Sequence, residues 1–164
     1  MSEFKDVFFL RLPHEQTEKA VALYRDEIVR LKDYLEQKFE VKITEEMVRE
    51  ATRVNNRANK ALKDLYSVMK HDPTPVSGYD IFKVLYGSTF RFDRAALADE
   101  VNALREKIER EYTEGKHFEK RPRILITGCP IGGATEKVIR AVEENGSVVI
   151  GYENCSGEKA VGIQ

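Results

Sequence analysis

The sequence lacks the features that would place it in a membrane, in a secretory pathway or on nucleic acid. No apolar run approaches the ~18 residues that a membrane helix needs. The first residues, MSEFKD, are charged, unlike a secretion signal. The 27 basic and 28 acidic residues leave a net charge of −1, which gives no whole-chain attraction to nucleic acid or to a membrane. We therefore expect a cytoplasmic protein with no nucleic-acid or membrane partner.

Cysteine is scarce and tryptophan is absent. The 164 residues include two cysteines and no tryptophan. Two cysteines are too few for the disulfide framework of a small secreted domain, so we expect free thiols or metal ligands. Apolar residues make up 41% of the chain and charged residues 34%. That composition can still bury a core, and it suits long helices with one solvated face.

Most of the chain has the apolar spacing of amphipathic helices. The pattern predicts three long helices, over about residues 15–39, 44–70 and 93–115. Thr44 and Asp93 are suitable N-caps because their side chains can accept a free amide of the first turn. The prolines of HDPTPVSG, residues 71–78, interrupt the helical pattern. Ser77 with Asp80 then resembles a capping box that starts a short helix ending at Gly87.

The two ends of the chain have strand-like patterns. DVFFLRLP, residues 6–13, is a nearly continuous apolar run ended by proline, typical of a buried strand. Near the other end, the pattern predicts strand Ile124–Thr127, a glycine-rich loop, a helix over 135–145 and strand Val148–Tyr152. This order is a β-α-β unit, which places two strands in parallel.

The predicted fold class is therefore α/β: a segment of three long helices followed by the incomplete start of a Rossmann-like parallel-sheet domain. We divide the chain into residues 1–13, a strand of a preceding or shared sheet, residues 14–116, the helical segment, and residues 117–164, the first β-α-β of an α/β domain. Parallel sheets normally have several strands and are covered on both faces. We therefore expect the chain to be a fragment of a longer protein.

The loop in RILITGCPIGG, residues 123–133, has glycines where a phosphate-binding loop would have them, but its details differ. The dinucleotide fingerprint fails because Pro130 stands two residues after Gly128, where a second glycine is needed. The nucleotide P-loop fails because Ala134 occupies the position of the lysine that reaches the phosphates. Both departures disfavour a nucleotide-binding domain.

Each predicted strand of the β-α-β unit is followed by a cysteine, Cys129 in the first loop and Cys155 in YENCSGEK. Adjacent parallel strands end on the same edge of a sheet, so we expect both thiols on the ligand-binding edge. Glycines, which let a backbone approach a bulky ligand, flank both cysteines: Gly128, Gly132, Gly133 and Gly157. Spacing alone leaves two unrelated cysteines as an alternative. Two thiols fall short of a zinc site or an iron–sulfur cluster, so a cluster needs ligands from elsewhere.

RILITGCPIGG, together with EKVIRAVEENGSVVIGYENCSGEK, resembles the 2-hydroxyacyl-CoA dehydratase D-component family, which includes benzoyl-CoA reductase subunits and double-cubane cluster proteins. FFLRLP, VNNRANKAL and PVSGYDIF resemble it too. The resemblance covers nearly the whole chain and the middle of the family's full-length protein. It implies an anaerobic, oxygen-sensitive iron–sulfur protein with a 4Fe–4S or double-cubane cluster. It also implies an ATP-hydrolysing activator that supplies low-potential electrons, and a CoA thioester or another small molecule as substrate.

Through this resemblance Cys155 and Cys129 become candidate metal ligands, and the four glycines named above become candidate cofactor-binding residues. Many dehydratases have serine in place of Cys129 and two aspartates in place of Glu153 and Asn154, so this chain favours a double-cubane reductase over a dehydrating lyase. No catalytic residue is assigned, and we expect the fragment alone to be inactive and without a cluster.

Two further expectations come from the helices and the strand edges. The alternative to an iron–sulfur protein is a non-catalytic helical interaction module with an α/β tail. Exposed strand edges would also allow a homodimer. Asn55, Asn56 and Asn59 are interpreted as packing residues at the side of their helix.

Overall fold

The computed structural model describes residues 7–129, 132–155 and 157. In these residues it contains five α-helices, α1 (Glu18–Phe39), α2 (Glu45–Tyr66), α3 (Gly78–Ser88), α4 (Arg94–Thr113) and α5 (Thr135–Glu144), and two strands, β1 (Arg123–Thr127) and β2 (Val148–Glu153). The strands pair in parallel. The predicted α/β fragment with three long helices is therefore confirmed. The chain forms two compact units, residues 1–50 and 51–164, while the division at residues 13 and 116 stays a prediction.

The first unit joins an extended segment, residues 7–13, to α1. These residues form no strand, in contrast to the expectation from their apolar run, because no strand in the described part of the chain runs beside them. Phe9 is 77% exposed and Leu12 is 62% exposed. Their place in a sheet of a longer protein stays a prediction.

A buried carboxylate ties this extended segment to α1. Glu27 accepts hydrogen bonds from Arg11 Nε at 2.9 Å and from the Arg11 backbone amide at 3.2 Å. Its second partner, Arg30, donates to Glu27 at 2.5 Å and to the carbonyl oxygen of Phe9 at 2.6 Å. Hydrogen bonds from the two guanidinium groups lower the pKa of Glu27 to about 2, against the opposing effect of desolvation.

The helix ends follow the predicted capping chemistry. Thr44, Ser77 and Asp93 each accept a hydrogen bond from the backbone amide three residues further on, at 3.2, 3.0 and 2.9 Å. Gly115 adopts a positive φ of 85° just after α4, the conformation that favours glycine after a helix. α2 ends at Tyr66 rather than at Lys70, because its last turn, Ser67–Lys70, is a 3-10 helix.

The core of the second unit lies between the helices α2, α3 and α4 and the first residue of β2. Its buried side chains include Leu62 and Leu65 of α2, Ile81 of α3, Val101 of α4 and Val148 of β2. The apolar faces predicted for the second half of α2 and for α4 therefore meet each other and the β-α-β unit.

The asparagines of α2 hold the start of α4. Arg94 donates to Asn55 Oδ1 at 3.1 Å and to Asn59 Oδ1 at 2.8 Å. Its third nitrogen donates to the carbonyl oxygen of Ser88, the last residue of α3, at 3.2 Å. One guanidinium thus joins three helices, and the packing interpretation of Asn55 and Asn59 is supported.

Candidate functional site

The carboxyl ends of β1 and β2 lie side by side. The register pairs Ile126 with Tyr152 and Thr127 with Glu153, and the Thr127 hydroxyl donates a hydrogen bond to the Glu153 carboxylate. Each cysteine lies two residues beyond the last pair of the ladder, and both Cys129 and Cys155 are exposed. The structure therefore brings both predicted residues to the same edge of the sheet, while their role as ligands stays a prediction.

The glycine after Cys155 is required by the fold itself. Gly157 donates its backbone amide to the carbonyl oxygen of Asn154 at 3.1 Å, which closes a turn around Cys155. A Cβ on Gly157 would lie 2.4 Å from Tyr152 Cβ and 2.5 Å from the Tyr152 carbonyl oxygen. The loop therefore folds back onto its own strand, which accounts for this glycine without any ligand.

The glycines around Cys129 have a different environment. Gly128 and Gly132 adopt positive φ values of 105° and 58°, where a side chain would be strained. Gly133 has an ordinary backbone conformation, and a Cβ there would meet no atom of the described residues within 4 Å. Gly132 and Gly133 line a cavity beside α3. Pro130 and Ile131, between Cys129 and these glycines, lie outside the described residues.

The two cysteines are the right type of ligand for an iron–sulfur cluster, but they are too few to hold one. Thiolates are the usual protein ligands of such clusters, which take about four of them, and the chain has two cysteines. In the described ranges 7–129, 132–155 and 157, no three His, Cys, Asp or Glu side chains are grouped so that they could hold a metal ion. A cluster at this edge would need ligands from other polypeptide.

Comparison with known proteins shows the family to which the chain belongs. The sequence pattern of the family described as 2-hydroxyglutaryl-CoA dehydratase, D-component, matches residues 1–164. The chain belongs to this family. It is also 47% identical over 161 residues to YjiM of Escherichia coli (strain K12), which is described provisionally as a dehydratase subunit.

The aligned region covers 98% of this chain but 42% of YjiM. The D-component chain thus spans about two fifths of the curated relative that it matches. None of the helices in its described residues has the length and apolar character needed to cross a membrane.

In this D-component chain, β2 is fixed by a tyrosine pair that sequence patterns did not reveal. The backbone amide of Tyr152 donates to the Tyr66 hydroxyl at 2.7 Å, and the fully buried Tyr152 ring packs on Phe82 with 5.4 Å between centroids. Burial raises the pKa of the Tyr152 phenol, and the Glu143 carboxylate adds to this effect. These contacts position the residues that lead into Cys155.

A carboxylate from α5 joins α3 to β2. Glu143 accepts hydrogen bonds from the backbone amides of Gly78 at 2.7 Å, Val149 at 3.3 Å and Tyr79 at 3.4 Å. A Cβ on Gly78 would lie 2.0 Å from the Val149 carbonyl oxygen, so only glycine permits this approach. Sequence analysis assigned no role to either residue, since the partners lie far apart in the chain.

Proposed function

We propose that this D-component chain is the central part of an iron–sulfur protein that performs dehydratase-type or related reductive chemistry. The observation that carries the proposal is the pairing of β1 with β2, which sets Cys129 and Cys155 beyond neighbouring strand ends in a chain of this family. The whole protein's activity is part of the proposal, because the chain corresponds to 42% of its relative.

Cys129 and Cys155 would hold the cluster together with cysteines from the remainder of the longer protein. A bound iron–sulfur cluster would supply one-electron reduction at low potential. The chain's own contribution is to orient these ligands. The hydrogen bond between Thr127 and Glu153 joins the strand ends beside them, and Asn154, which precedes Cys155, is buried. Groups that surround metal ligands in this way tune affinity and potential.

The partners in this proposal are an ATP-hydrolysing activator, which delivers the electron, and a CoA thioester or another small molecule, which accepts it. Cysteine at position 129, with Glu153 and Asn154 before Cys155, favours the double-cubane reductase branch over dehydration. The proposal places the protein in an anaerobic cytoplasm.

The test is anaerobic reconstitution of the full-length parent with iron and sulfide. We expect a visible absorption band and bound iron in the unmodified protein, and a large loss of both when Cys129 and Cys155 are replaced by serine. Lys137→Ala, a change of an exposed side chain on α5, is the control and should leave both unchanged. A colourless parent, or a cluster that is unaffected by the double substitution, would refute the assignment.

The alternative is the helical interaction module without chemistry of its own. It predicts a parent that stays colourless after reconstitution, and that still binds its partner protein when both cysteines are replaced. The same preparation therefore distinguishes the iron–sulfur protein from the helical interaction module.

A further inference from the structure

A row of apolar side chains on α1, which we call the α1 seam, is largely exposed in the part of the chain that the structure describes. The seam consists of Val21, Tyr24, Ile28, Leu31 and Leu35, at alternating spacings of three and four residues. This is the spacing of the a and d positions of a coiled coil, and such a row normally faces a core. Here Val21 is 67% exposed, Ile28 is 43% exposed and Tyr24 is 41% exposed, while Leu31 and Leu35 are half-buried.

The extended segment, residues 7–13, packs beside the α1 seam rather than on it. Its contacts are with Glu27 and Tyr34, each of which stands one residue before a seam position. Arg11 donates a hydrogen bond to Glu27 at 2.9 Å, and the Phe8 ring lies on the Tyr34 ring with 5.0 Å between centroids. One flank of the α1 seam is therefore occupied, and a partner must cover the seam itself and its other flank.

The other flank of the α1 seam is basic. Arg25 and Lys32 each follow a seam residue directly, which is the e position of a coiled coil, where charged side chains set partner choice. Lys32 already pairs with Glu36 at 2.7 Å. The residues three and four positions away from Arg25 are all apolar: Ala22, Val21, Ile28 and Val29. α1 therefore offers the exposed Arg25 no carboxylate at the spacings that allow pairing on one helix.

The α1 helix of a second copy would be a poor match for this seam. In an antiparallel pair of α1 helices, the two basic flanks would face each other, which would set Arg25 against Lys32 of the other copy. In a parallel pair, the basic flank would face Ala20 and Glu27, and the Glu27 carboxylate is already bonded to two arginines of its own chain. Charge complementarity therefore favours a different helix, one that carries carboxylates beside its apolar row.

We propose that the α1 seam binds an amphipathic helix with an acidic flank, supplied by the part of the longer protein that lies outside this chain. The chain corresponds to 42% of its curated relative, so the remainder of such a protein is long enough to supply the helix. Its apolar side chains would cover Val21, Tyr24 and Ile28, and a carboxylate would pair with Arg25. The proposal rests on the assignment of the chain to a longer protein and does not require the cluster.

The test is photocrosslinking in the purified full-length parent, with p-benzoylphenylalanine in place of Tyr24 and mass spectrometry of the linked peptides. We expect an intramolecular link to a peptide outside residues 1–164 that carries Asp or Glu within one helical turn of apolar residues. The same probe in place of Asp26, which is exposed on the opposite side of α1, should give at least tenfold less of this link. Links confined to residues 1–164, links to a second copy, a linked peptide without a carboxylate, or no link would overturn the proposal.

Substitutions in the probe-carrying parent test the apolar row and the basic flank separately. Ile28→Gln puts a polar group into the seam and should lower the yield of the link at least fivefold. Val29→Gln is the matched control, because Val29 has a similar exposure, 48%, but lies outside the seam. Arg25→Glu sets like charges against each other and should lower the yield about fivefold, whereas Asp26→Lys should leave it unchanged. Equal yields within either pair of variants would refute the proposal.

These measurements need neither a cluster nor a substrate, so they stand apart from the reconstitution experiment. A colourless parent with the expected link would remove the iron–sulfur proposal alone. A cluster-containing parent without the link would remove the proposal for the α1 seam alone.

Discussion

Replacement of Glu143 with alanine should separate the start of α3 from β2. The Glu143 carboxylate accepts three backbone amides, and the residues that supply two of them, Gly78 and Val149, are buried. Without the carboxylate, these two amides would lose their acceptor at a place that water reaches poorly. The perturbation therefore removes a charged acceptor and leaves buried donors unpaired.

The magnitude follows from the lengths of the three bonds. The bond to Gly78, at 2.7 Å, has the length of a strong charge-assisted hydrogen bond, whereas those to Val149 and Tyr79 are longer than typical. One charged bond contributes about 1.5–3 kcal/mol, and an unpaired buried donor costs about 1–3 kcal/mol. We expect Glu143→Ala to lower the free energy of unfolding by about 3 kcal/mol, more than a hundredfold in the equilibrium constant.

The assay is urea unfolding followed by circular dichroism and tyrosine fluorescence. Glu143→Gln keeps one acceptor oxygen without the charge, so its loss should be about 1 kcal/mol. Glu144→Ala changes the exposed neighbouring residue of the same type and should stay within about 0.5 kcal/mol of the unmodified chain. If the two alanine variants unfold at the same urea concentration, the carboxylate does not fasten α3 to β2 and the reasoning fails.

Three other perturbations follow from the packing. Hydrogen bonds from Arg11 and Arg30 lower the pKa of Glu27 from its ordinary 4.5 to about 2. The ionised carboxylate therefore stabilises the folded chain above about pH 4.5, and this stabilisation is lost as the pH falls towards 2. Glu27→Gln should flatten this acid dependence in a pH titration of helicity. Leu65→Ala, at a site with no exposure, should cost about 2–5 kcal/mol in urea unfolding. Gly78→Ala places a Cβ 2.0 Å from a carbonyl oxygen and should lower the melting temperature, at a cost of about 1–3 kcal/mol or more.

Each of these changes has a matched control in the same region. Asp26→Asn alters the exposed neighbour of Glu27 and should leave the acid dependence intact. Val138→Ala, at a side chain that is 39% exposed, should cost much less than Leu65→Ala. Gly87 lies in the same helix as Gly78, and a Cβ on it would meet no atom of the described residues within 4 Å. Gly87→Ala should therefore stabilise the chain by up to about 1 kcal/mol. A Gly78→Ala variant as stable as Gly87→Ala would contradict the close approach.

The sequence was sufficient to predict the elements whose signals are local. Thr44, Ser77 and Asp93 cap their helices as predicted, since a cap involves residues within one turn. Residues 7–13 form no strand among the described residues, and their place in a sheet of a longer protein stays a prediction, because an apolar run becomes a strand only beside another strand. Tyr66 and Glu143 were missed because their partners lie in other elements, and no periodicity records such long-range bonds.

The two edges of β2 differ in whether another strand could pair with them. The backbone groups of β2 that face β1 form the hydrogen-bond ladder of the sheet. On the opposite edge, the backbone amides of Val149 and Tyr152 donate to Glu143 and Tyr66, and the start of α3 lies against the Val149 carbonyl oxygen. Side chains thus close that side to another strand. Growth of the sheet is therefore one-directional: a strand from a longer parent, or from a second copy of the chain, can join only beside β1. A symmetric dimer through β1 would have the strand order β2-β1-β1-β2, with its two central strands antiparallel.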